Sequence, residues 1–165
     1  MDKDDRTPEE KIYFYVNKTK LNQNEKKDFF HQLTLLDWNQ TIEDYGEGFN
    51  DRVIQMILNE NIDDLENISD IIELYNNPYG IYTLEFADVI ARVYRENKIR
   101  FIKGLNLVKD EAINIVYAFR LKRVFVDDLE NKMDEEEILK SNILSEEEKE
   151  TAERFFKMYE TICST

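Results

Sequence analysis

Residues 82–125 read YTLEFADVIARVYRENKIRFIKGLNLVKDEAINIVYAFRLKRVF, the densest apolar part of the chain. Within it Phe86, Val89, Ile90, Val93 and Tyr94 recur at steps of three and four, the period of one helix face. Phe101, Ile102 and Leu105 repeat the pattern over a shorter run. Ala112, Ile113, Val116, Tyr117, Phe119 and Leu121 supply a third. Alternation with period two is never sustained, and the β-prone triplet Val124-Phe125-Val126 is too short to require a sheet. Three central helices are expected here, with Phe86, Ile90, Val93, Val116 and Phe119 in the core.

Helix-opening signals extend this reading to both sides. Thr7-Pro8-Glu9-Glu10 places a capping hydroxyl, a proline at the first helical position and a glutamate at the third, so a helix should open at Pro8 and bury some of Ile12, Tyr13 and Val16. Asn22 with Glu25 opens a second, carrying Phe29, Phe30, Leu33 and Leu36. The stretch from Trp38 to Tyr45 continues or restarts it before the loop at Gly46 and Gly48. Val53, Ile54, Ile57 and Leu58 mark a further helix, and Asp63 with Glu66 caps another, which Pro78 and Gly80 terminate. Toward the C-terminus, Asp134 with Glu137 reads as a capping pair and Met133 with Ile138 as a hydrophobic staple. Ser145 with Glu148 opens a last helix containing Phe155 and Phe156.

The expectation is an all-α fold, a single domain over residues 1–165 of about seven or eight antiparallel helices, because short polar connections enforce antiparallel neighbours. Residues 1–6 are expected to be disordered and 162–165 to form a frayed tail. By helix length and spacing, residues 50–120 resemble stacked helical hairpins of the HEAT or armadillo kind. The resemblance implies architecture alone, since no clean internal repeat accompanies it.

Composition agrees. A 165-residue chain with 42% apolar and 12% aromatic residues can bury a substantial core. Only four Gly and two Pro occur, too few for many tight hairpins. The single cysteine, Cys163, excludes an intrachain disulfide and suits a reducing compartment. No apolar run approaches the length of a membrane span, and the acidic N-terminus is unlike a secretory signal. A cytoplasmic location is expected, although a removed N-terminal leader is compatible with the same sequence.

No set of residues suggests catalysis or a cofactor. His31 is the only histidine and lacks a second ligand at helical spacing, so it is read as a surface or boundary residue. The acidic pairs Asp63/Asp64 and Asp127/Asp128, and the run from Glu146 to Glu148, fall at helix starts, where negative charge favours the helix dipole. A calcium loop counted from Asp128 fails at its fifth and sixth positions, Lys132 and Met133. The four glycines form no phosphate-binding loop. No catalytic, cofactor-binding or metal-binding residue is expected, and the chain reads as a non-enzyme.

Charge is where the sequence departs from its own average. Residues 92–123 carry nine Lys or Arg against three acids, a local charge of about +6 inside a molecule of −14. Arg92, Arg95, Lys98, Arg100 and Lys103 are the candidate partner-binding residues, expected to cluster on one exposed side, largely unpaired. The competing reading is an ordinary solvated face whose charges pair with the acidic flanks. Nucleic acid is disfavoured, since a molecule of this net charge repels a phosphate backbone at long range. The expected function is a small helical protein-interaction or scaffold module whose basic face meets an acidic partner or the acidic flank of another copy. The alternative is an acidic inhibitor or immunity-type protein that imitates nucleic acid and blocks a nucleic-acid-binding enzyme or toxin.

Overall fold

The computed structural model describes residues 4–163, and among them the fold is all-α. Ten α-helices occur: α1 (Pro8–Val16), α2 (Gln23–Thr34), α3 (Trp38–Tyr45), α4 (Phe49–Asn59), α5 (Leu65–Tyr75), α6 (Thr83–Glu96), α7 (Lys98–Leu107), α8 (Ala112–Leu121), α9 (Asp128–Leu139) and α10 (Glu146–Cys163). A single 3-10 turn, Lys109–Glu111, leads into α8. The count exceeds the expected seven or eight, since the stretch from Trp38, which the sequence leaves as continuing or restarting α2, is a helix of its own. Asp37 restarts the chain as α3 by accepting from the Asn39 and Gln40 amides. Asn97 alone separates α6 from α7: its extended backbone ends one helix while its side chain accepts from Arg100 N at 3.0 Å to begin the next.

Three helix starts form as the local chemistry dictates. Reciprocal capping boxes join Thr7 to Glu10, Asn22 to Glu25 and Ser145 to Glu148. Two others move. The cap of α5 is Asp64 rather than Asp63, and α9 opens at Asp127, so Asp134 lies inside that helix. No Met133–Ile138 staple forms, since Ile138 is buried and Met133 faces out. Of Ile12, Tyr13 and Val16, Ile12 is buried, Val16 is half-buried and Tyr13 is exposed, and Tyr15 joins Ile12 on the inward face of α1. Of the stretch 1–6 expected to be disordered, residues 1–3 lie outside the described residues; in 4–6, Arg6 grips Asp4 and lies 4.7 Å over the Phe14 ring. Helix α10 extends through Cys163, and residues 164–165 lie outside the described residues.

Packing forms two rows. In one, α2, α5, α7 and α10 contact in succession; in the other, α4, α6 and α8 do. Helices α5–α6, α6–α7 and α8–α10 join the rows, and α9 rests on α10. The five expected core residues are all buried between them. Phe119 is the hub, with ring centroids 4.8 Å from Tyr94, 5.6 Å from Phe101 and 5.0 Å from Phe155, so one side chain of α8 touches α6, α7 and α10. Helices α5 and α7 cross so closely that a Cβ on Gly104 would lie 2.8 Å from the Ile68 Cβ, which only glycine permits. No helix among the described residues is long and apolar enough to cross a membrane.

Candidate interaction surface

The candidate residues of the basic block do not form the expected unpaired cluster. Arg92 turns back onto α4, donating to Leu58 O and, at 2.9 Å, to Glu60 O, and so supplies partners and positive charge to that helix's C-terminal carbonyls. Arg100 donates to Asp63 O at 2.9 Å, and these two arginines tie the α4–α5 connection to α6 and α7. Lys98 reaches α9, 2.9 Å from Asp134 Oδ1 and 3.3 Å from Glu137 Oε2. Lys103 reaches α10, 3.0 Å from Glu148 Oε1. Only Arg95 of the five is exposed with no bonded partner among the described residues.

The physical reason is placement. Helices α6 and α7 carry the cations and lie between the acidic N-terminal and C-terminal thirds of the chain, so carboxylates and helix-end carbonyls are close on both sides. The Asp134 carboxylate holds the Lys98 ammonium charged and raises its pKa. Tyr94 donates to the other oxygen of Asp134 at 2.7 Å, and burial with that hydrogen bond pushes its phenol well above its usual range. A hollow of about 380 Å³ beside Arg100 is lined by Ile62, Asp63, Ile68, Val93, Glu96 and Asn97; its one cation is already bonded to the Asp63 carbonyl.

Two surface features lie elsewhere. A groove of about 480 Å³ runs beside α1 between Tyr13, Phe14 and Tyr45, where Tyr13 stacks on Tyr45 at 4.3 Å. Its cations are engaged, Arg6 with Asp4 and Lys18 with Glu25. The second feature is on α8, whose buried face is made by Ala112, Ile115, Val116, Ala118 and Phe119. Ile113, Tyr117 and Leu121 recur every four residues and point outward, at 38%, 48% and 47% exposure. Arg120, beside this ladder, and Arg123, just past the helix, are exposed without a bonded carboxylate among the described residues.

The sequence reading merged these three apolar residues with the core. Helix α8 has more large apolar side chains than one buried face can take, and that surplus is the signal that something faces out. Helices α6 and α8 lie side by side, joined at the surface by Lys122 and Asp88, so the exposed Leu84 of α6 sits one turn from this junction. No family model, curated protein or solved structure matches the chain.

Proposed function

We propose that this chain is a non-enzymatic protein-interaction module of the cytoplasm that docks a protein partner on the outward face of α8. The ladder of Ile113, Tyr117 and Leu121 carries this reading. Three large apolar side chains at i, i+4 and i+8 on one solvent-facing helix side are the arrangement by which helices engage a complementary groove or helix. Arg120 and Arg123 give the surface a positive edge, which favours an acidic partner. In this reading Arg92, Lys98, Arg100 and Lys103 support the surface by fixing α6 and α7 against their neighbours rather than by touching the partner. The two rows of helices, an arrangement also used by HEAT-like scaffolds, suit a rigid platform. A photo-crosslinking amino acid at position 117 in cells should give a discrete protein adduct, and one at the exposed Gln55 of α4 should not. Equal yields at the two positions would reject the α8 face.

A second reading has its own support. Glu135 of α9 feels Glu136 and, from α10, Glu153 and Glu160; burial and then these charges raise its pKa. Carboxylates gathered across two helices fit an acidic inhibitor that occupies a nucleic-acid-binding enzyme or toxin. This reading requires carboxylate-to-amide changes at Glu136, Glu153 and Glu160 to abolish partner binding while changes on α8 leave it intact.

A further inference from the structure

Helix α9 buries little: Asn131 and Ile138 are its only buried residues, and it packs mainly on α10, with Asp134 tied to Tyr94 of α6 and Lys98 of α7. It turns Leu129 and Met133, one helical turn apart, to solvent at 66% and 60% exposure, and Val126 just before it is exposed at 84%. Asp128, Glu136 and Glu137 stand exposed on the same helix, Glu137 bonded to Lys98, with exposed Lys132 between Asp128 and Glu136 and exposed Lys140 at the helix end. The outward face of α9 is therefore apolar with edges that are acidic on balance, and that of α8 is apolar with Arg120 and Arg123 at its C-terminal end and exposed Asp110 before its start. Each face supplies what the other lacks: apolar area for apolar area, and carboxylates for guanidinium groups.

The two faces do not meet within one molecule, because both are open to solvent. Resting on the reading of α8 as a docking surface, we infer that its occupant is α9 of a second copy of this chain. Like-to-like pairing gathers charge of one sign: two α8 faces would bring Arg120 and Arg123 of both copies into one interface, and two α9 faces would do the same with carboxylates. The contact is α8 to α9′, with unlike surfaces, and each copy retains one unused face for the next copy or for closure of the assembly.

The test uses the full chain in sedimentation velocity over rising protein concentration, with circular dichroism as the control for folding. The wild type should associate as concentration rises and dissociate as salt screens the charged rims. Y117S/R120E disables the α8 face and L129S/M133E the α9 face; each should weaken association by about tenfold or more while keeping its helix content. Mixed together, the two variants should form a one-to-one complex, because each keeps the face the other lost. A wild type that stays monomeric, or a mixture that does not recombine, overturns the inference. If the wild type is monomeric while position 117 crosslinks to a different protein, self-association fails and the interaction-module reading stands. If position 117 gives no adduct either, both fall.

Discussion

Tyr94 and Asp134, forty residues apart in sequence, are joined by a 2.7 Å hydrogen bond from the phenol of α6 to the carboxylate of α9. The same carboxylate accepts from Lys98 at the start of α7, so one acid links three helices. Tyr94 is buried, and removing its acceptor strands the hydroxyl away from water. We expect Asp134→Ala to cost about 2–3 kcal/mol and Tyr94→Phe about 1 kcal/mol, because an unsatisfied buried donor costs more than a deleted hydrogen bond. Urea unfolding checks the order; a Tyr94→Phe loss larger than that of Asp134→Ala would contradict it.

Phe119 meets rings from α6, α7 and α10 and is fully buried, so no single neighbour can fill the space it would leave. Truncation to Ala should cost about 3–5 kcal/mol. The check is equilibrium denaturation, and a loss below about 1 kcal/mol would place the side chain at the surface.

What was legible in the sequence was local. Thr7 with Glu10, Asn22 with Glu25 and Ser145 with Glu148 close their hydrogen bonds within three residues, so identity and spacing suffice to predict them. Asp134 with Glu137 has the same spacing and a different role, because its partners Tyr94 and Lys98 come from distant helices. The core positions Phe86, Ile90 and Val116 followed from period, yet on α8 period could not say which apolar residues point outward. The basic block was visible as composition. That Lys98 would find α9, Lys103 α10 and Arg92 the end of α4 is tertiary information.

Gly104 sits where α7 crosses Ile68 of α5. Alanine is the better helix former by about 1 kcal/mol, and on an open helix it would stabilise. Here its methyl group would collide with a buried, β-branched side chain that has no room to rotate. Gly104→Ala should therefore destabilise by about 1–3 kcal/mol. The cause is tested by a double-mutant cycle with Ile68→Ala: the double variant should be more stable than the sum of the single losses predicts, and strict additivity would refute steric contact.

Helix α8 ends with Arg123 in the left-handed region at φ 49. Val124 N donates to Phe119 O at 3.0 Å and Arg123 N to Arg120 O at 3.2 Å, the paired bonds of a Schellman turn, with Val124 buried beneath. Glycine takes this conformation without the side-chain clash an L-residue carries. Arg123→Gly should raise stability by about 1 kcal/mol, read as a higher denaturation midpoint at unchanged m-value. A loss of stability would mean that the arginine side chain contributes more than its backbone strain costs.

Asp70, half-buried on α5, has its pKa pushed up to about 7 by burial first, then by the charges of Glu73, Glu66 and Asp64. A carboxyl group raised in the folded state binds more protons there than in the unfolded chain. Its contribution to stability is therefore greatest below the unfolded value near 3.8 and is lost as pH rises toward about 7. Above that, the ionised group destabilises the fold throughout. Replacing it with Asn removes the titration while keeping the shape. Asp70→Asn should gain little over wild type at pH 4 and increasingly more up to pH 7, reaching about 1–2 kcal/mol at pH 8 once solvent screening of a half-exposed group is allowed for. Unfolding free energies of the two proteins, measured across that range, should diverge with rising pH; parallel curves would show that Asp70 titrates as an ordinary surface acid.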